Sequence, residues 1–118
     1  MASALQAFID SVAGGPCWVK ESTASIGVAE GLIVDHNFER MALAIINTSA
    51  NTLSLKPGKG ATTTNGIILN PNGGSLTVNA RDDLALVGWE WWGIAGGAAS
   101  SIIVFEVIRF SRTQQAGG

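Results

Sequence analysis

Cysteine and histidine are almost missing from this chain of 118 residues, which holds one of each, Cys17 and His36. A single cysteine excludes an intrachain disulfide and any cysteine-based zinc knuckle, so stability has to come from packing. Beside Trp18, Cys17 reads as a small buried hydrophobe rather than as a nucleophile or an intersubunit crosslink. His36, flanked by Asp35 and Glu39, is a lone imidazole and reads as an exposed turn histidine, not a metal ligand. Serine is plentiful, but no nucleophile elbow or other local signature supports a Ser-His-Asp arrangement.

Charge is scarce as well. Asp, Glu, Lys and Arg make up 14% of the chain, where about a quarter is usual for soluble domains. The seven basic residues (Lys20, Arg40, Lys56, Lys59, Arg81, Arg109 and Arg112) stand singly, and the net charge is −2. With no basic field to neutralise phosphates, nucleic acid is not an expected partner. With no polybasic stripe, neither is a membrane surface, and these cations read as ordinary solvated charges. The most apolar stretch, residues 84–107, is interrupted by Glu90, several glycines and Ser100–Ser101, so no membrane-spanning helix is expected there. Residues 1–15 have no positive leading region and carry Gln6 and Asp10 within a short apolar run, which argues against a signal peptide.

What the chain does have is apolar surface, at 47% of residues. A monomer so composed exposes large apolar patches, and copies of the chain or a partner are expected to cover them. At this length one core suffices. Residues 41–78 (MALAIINTSANTLSLKPGKGATTTNGIILNPNGGSLTV) show how that core is arranged: short apolar bursts separated by Asn, Gly, Pro, Ser and Thr. Such bursts describe strands and tight connections, since a helix needs a sustained 3.6-residue period.

Strands are expected over residues 17–21, 31–36, 38–48, 52–56, 67–69, 75–78 and 101–110, and residues 84–87 are expected to form one leading into the tryptophans. In residues 38–48, Met41, Leu43 and Ile45 point one way while Ala42, Ala44 and Ile46 point the other; a strand apolar on both faces belongs inside a sandwich or against another subunit. Residues 47–51 (NTSAN), 57–66 (PGKGATTTNG) and 70–74 (NPNGG) are turn and loop signals. The glycines at 58, 60, 73, 74, 96 and 97 follow no phosphate-loop pattern and read as turn formers. Asp82 and Asp83 beside Arg81 read as a solvated turn, because adjacent carboxylates on a β-connection diverge and fall short of a calcium ligand set.

The expected fold class is therefore all-β: one antiparallel β-sandwich or jelly-roll-like barrel of about eight strands over residues 16–111. Residues 1–15 would form a short N-terminal helix or arm. Leu5, Phe8, Ile9 and Val12 fall at i, i+3, i+4 and i+7, a stripe that packs over the β-core or lies across a neighbour. Residues 112–118 would be a polar tail. In Trp89-Glu90-Trp91-Trp92, strand alternation would send Trp89 and Trp91 to the core and leave Trp92 at a subunit contact or, less in keeping with its sparsely polar surroundings, a carbohydrate-stacking patch. The candidate interface residues are thus Leu5, Phe8, Ile9, Val12 and Trp92; no catalytic, cofactor or metal residue is assigned.

The succession IINTSANTLSLKPG, TTTNGIILNPNGGSLTV and a closing IIVFEV resembles small β-sandwich virion proteins of tailed bacteriophages. The resemblance covers residues 42–107 and consists mostly of turn chemistry; the tryptophan cluster and the N-terminal third depart from it. It implies a non-enzymatic structural protein without cofactors, most plausibly a capsid decoration or cement protein. Such a protein is made in the host cytoplasm and sits on the virion surface, reinforcing contacts between major capsid subunits, with a homo-oligomer such as a trimer as the default. Receptor or glycan binding in a head or tail fibre, or a head–tail connector role, is the alternative.

Overall fold

A computed structural model describes residues 17–97 and 99–109. It is all-β, with eight strands: β1 (Cys17–Ile26), β2 (Gly31–Val34), β3 (Arg40–Asn47), β4 (Leu53–Pro57), β5 (Ile67–Leu69), β6 (Ser75–Asn79), β7 (Trp91–Ala95) and β8 (Ser100–Arg109). They form two antiparallel four-stranded sheets, one ordered β1-β8-β3-β6 and the other β2-β7-β4-β5. First pairs with last, second with seventh, third with sixth and fourth with fifth. This nesting is the two-sheet jelly roll, and it realises the sandwich expected from the turn spacing. Among the described residues no helix is long and apolar enough to cross a membrane. The N-terminal helix or arm, with Leu5, Phe8, Ile9 and Val12, and the C-terminal tail lie outside the described residues.

The core is built from the inward parity of each strand. Leu43 and Ile45 from β3, Ile102 and Val104 from β8, Val78 from β6 and Ile26 from β1 face Leu53 and Leu55 from β4, Leu69 from β5, Val34 from β2, and Trp91 and Ala95 from β7. Gly93 lies among them, and a Cβ there would meet the Ile33 and Leu55 side chains at 2.7 and 3.0 Å. The bulk of Trp91 next door is thus balanced by the absence of a side chain at Gly93.

Four local readings are corrected. Strand β1 runs on to Ile26, through residues expected to be a loop: Ser22, Thr23, Ala24 and Ser25 stay in register with Val104, Ile103, Ile102 and Ser101 of β8. Backbone pairing needs no apolar side chains, and the long partner strand supplies it. The expected strand at residues 84–87 is instead a 3-10 turn, Leu84–Gly88, after a single helical turn α1, Ala80–Asp83. The Asp83 carboxylate accepts from the Asn79 amide at 2.9 Å, and the Leu86 carbonyl accepts from the Trp89 amide and the Trp91 indole. These bonds wind the chain, while Val87 still reaches the core. Trp89 consequently precedes β7 and is exposed; only Trp91 is buried. Arg40, read as a solvated charge, is 3% exposed and paired with Glu106.

The turn chemistry emerges as expected, with a hub the sequence does not display. Asn47, fully buried at the end of β3, donates to the carbonyls of Asn51, Leu69 and Asn70 at 2.7, 3.3 and 3.1 Å, and accepts from the Ser49 amide and hydroxyl. One side chain therefore closes the 47–51 turn and ties it to the 70–74 turn. Asn72 and Gly73 take φ of 58° and 119°, the second a region L-residues rarely adopt. Gly73→Ala is expected to cost about 1–2 kcal/mol in urea unfolding; an unchanged midpoint would show that the turn relaxes freely.

Candidate functional site

Strand alternation builds a first surface on the outside of the β1-β8-β3-β6 sheet. Register places Val19, Val107, Ala42 and Asn79 in one row, Glu21, Phe105, Ala44 and Thr77 in the next, and Thr23, Ile103, Ile46 and Ser75 in a third. The two central columns are entirely apolar, and the flanks are mostly Thr, Ser and Asn with Val19 and Glu21. Val19 is 66% exposed, and Ile103, Phe105, Val107, Ala42, Ala44 and Ile46 are half-buried. Antiparallel sheets usually turn one polar face to water; here the second face is apolar too. At the end of the sheet, half-buried Cys17 stands opposite Arg109, whose guanidinium is 2.8 Å from the Glu39 carboxylate.

The outside of the other sheet is partly roofed. The 57–66 loop turns back toward Trp92, with the Lys59 ammonium 5.5 Å from the ring centre. The Glu30 carboxylate accepts from the Gly60 and Ala61 amides, and Asn65 bridges Thr62 and Gly60. The Trp92 indole donates to Glu90 at 3.0 Å. Trp92 is therefore half-buried, with a cation over its ring and its N–H engaged.

A second apolar surface occupies the pole where β1 begins and β8 ends. Phe38 is 61% exposed, Leu86 46% and Trp89 45%. Phe38 and Trp89 meet edge to face at 6.4 Å, and His36 lies 5.8 Å from Phe38. Pro57, Ala85, Leu86 and Trp89, with Asp83 at the rim, line an open groove of about 470 Å³.

Beneath this pole lies the buried pair. The Arg40 Nε donates to Glu106 at 2.8 Å, Nη1 to the carbonyls of Val87 and Trp89, and Nη2 to the carbonyl of Asp35 at 2.7 Å. One planar guanidinium thus fixes both aromatic-bearing loops to β8, a task for a fork of donors rather than a point charge. Lys20, Ser22, Asp35, His36 and Asn37 complete a polar cleft of about 260 Å³ above it. Sequence reasoning missed this device, although one signal was legible: Glu106 shares the inward parity of Ile102, Val104 and Ile108, and a buried carboxylate needs a cation.

Of the candidates, His36 is exposed as expected, with its Nδ1 3.3 Å from Asp35. Among the described residues there is no cluster of three or more His, Cys, Asp or Glu arranged to hold a metal ion. Trp92 lies on the roofed sheet, the second residue of β7, opposite Lys56 of β4.

No protein-family model and no curated protein matches this chain. Among solved structures, it is similar to a chain from work showing that Bacillus endospore appendages form a novel family of disulfide-linked pili. The identity is 14% and the TM-score 0.46, over 81% of this chain and 88% of that chain.

Proposed function

We propose that this chain is a structural protein working by adhesion, and specifically a capsid decoration or cement protein that reinforces contacts between major capsid subunits. The observation that carries the reading is the apolar outer face of the β1-β8-β3-β6 sheet. Val19, Ala42, Ala44, Ile46, Ile103, Phe105 and Val107 form a contiguous apolar patch that a second copy or a capsid subunit can cover. At about 25 cal/mol per Å², covering it contributes several kcal/mol before association costs, and repetition over a shell multiplies the effect. Low charge and the resemblance of residues 42–107 to phage virion modules point the same way. In this reading the protein catalyses no reaction and takes no cofactor. A homo-oligomer, with the trimer as default, would present the patch repeatedly.

The fibre reading, with glycans stacked on Trp92, is less well served, because Lys59 already occupies that ring.

Particles lacking the protein are expected to rupture at lower temperature, or under milder osmotic shock, than particles carrying it. Phe105→Lys and Val107→Glu, both on the outer face, should leave the folding stability of the isolated protein within about 1 kcal/mol of wild type and abolish restoration of the shell. Shells that survive equally well without the protein would overturn the proposal.

A further inference from the structure

The polar cleft above the Arg40 and Glu106 pair has hydrogen-bonding groups that the fold itself leaves open. We infer that this cleft binds a neutral sugar ring, with Phe38 and Trp18 as its aromatic flanks. The inference is independent of the cement reading and does not involve Trp92.

The first observation is where polar residues stand. β1 and β2 are edge strands of the two sheets, and the cleft is the seam between them. Inward positions of a sandwich are normally apolar, but here they are not. Lys20 and Ser22 share the parity of Ala24 and Ile26, which pack on the core, and stand in register with Glu106 and Val104 of β8. Arg40 joins them through a shift of register between Arg40 and Ala42, which sets it opposite Ile108 and so turns it inward. The other shift among the described strand pairs falls between Leu32 and Val34, and Ile33 and Val34 line the facing wall. Bulges re-aim side chains and gather beside functional sites; both of these border one cleft.

The second observation is what lacks a partner. Arg40 is explained by the loops it braces, and its Nε holds Oε2 of Glu106. Oε1 accepts from no donor among the described residues, although Glu106 is 5% exposed and borders the cleft. The Lys20 ammonium and the Ser22 hydroxyl also have no hydrogen-bond or ion-pair partner among the described residues. A buried carboxylate oxygen left open towards a cleft is a place for a ligand's donor.

Charge and size choose the class of ligand. Lys20 and Arg40 balance Asp35 and Glu106, so an anion would meet two carboxylates and a cation two basic groups. Hydroxyls each donate and accept, and a ring bearing several can satisfy both kinds at once. The volume of about 260 Å³ lies below that of drug-sized pockets and suits a single ring. The apolar face of a sugar packs on aromatic rings, and two stand at hand. Phe38 is 61% exposed and lies 5.8 Å from His36 on the cleft wall. Trp18, 37% exposed, follows the parity of Lys20 one row beyond it.

Amide NMR of the full chain tests this, with the methyl glycosides of glucose, galactose, mannose and N-acetylglucosamine as probes. At least one is expected to bind with a Kd of about 1–10 mM and to shift the amides of residues 20–22 and 35–38. Lys20→Ala and Phe38→Ala, both at exposed side chains, should each weaken that binding at least about fivefold while the urea midpoint stays that of wild type. Trp92→Phe should bind as wild type does. No shift from any of the sugars, shifts confined to the neighbourhood of Trp92, or either cleft variant binding as tightly as wild type would overturn the inference. Inorganic phosphate or methylammonium bound at the cleft more tightly than every sugar would equally overturn it, by showing a site for a charged ligand.

Discussion

Replacing Arg40 with alanine is expected to remove about 3–5 kcal/mol of folding stability, lowering a thermal midpoint by roughly 12 °C or more. The reason is what the change leaves behind. Glu106 is 5% exposed and would keep its carboxylate inside the sandwich without the guanidinium 2.8 Å away. The carbonyls of Asp35, Val87 and Trp89 would lose their donor at the same time. Arg40→Lys should rescue little, because one ammonium cannot satisfy four acceptors spread across a planar fork. The double change Arg40→Met with Glu106→Leu should be more stable than Arg40→Ala alone, since it leaves no buried charge. Urea unfolding of the four proteins decides the matter; an Arg40→Ala protein as stable as wild type would mean that water reaches Glu106. Because Arg40 holds the Trp89 carbonyl, indole emission from the pole should change in the same variant.

At the opposite end, Asn47→Leu is expected to cost about 3 kcal/mol and Asn47→Asp more. Leucine is close in size but leaves three carbonyls without their shared donor and removes the acceptor of Ser49. Aspartate keeps the acceptor for Ser49 but turns a buried carboxylate towards the carbonyls of Asn51, Leu69 and Asn70, where every contact is repulsive. The order wild type, leucine, aspartate separates a hydrogen-bonding hub from a merely space-filling one; aspartate more stable than leucine would count against the hub. Far-UV circular dichroism before unfolding checks that both variants begin from the same sheets.

These two residues also mark where sequence reading stops. The turns were legible because Asn, Gly and Pro act locally: the 70–74 signal is visible in five residues, and Asn72 and Gly73 take the positive φ it implies. Strands β3 and β8 were legible because alternation is local too. The serine-rich half of β1 was not, since what makes it a strand is β8 at the far end of the chain. The 84–88 turn was not, because a short apolar run has no period that separates strand from turn, and a carboxylate bond from Asp83 decides it. The partnership of Arg40 with Glu106, 66 positions apart, is a property of the fold. Of the candidate surfaces, the parity of the outer face could be read in advance. The aromatic pole could not, because strand alternation had assigned Trp89 to the core.

The pairing of first strand with last has a bearing on how the molecule is made. β8 is central to its sheet, bonded to β1 on one side and β3 on the other, and it follows the other seven described strands in the chain, so it is made after them. Until then β1 and β3 have no neighbour on that side, and their apolar side chains wait in the open. Such non-local closure is slow, and exposed edges invite pairing between nascent chains. Truncation before residue 100 would therefore leave no smaller version of this sheet, only two separated remnants prone to stick.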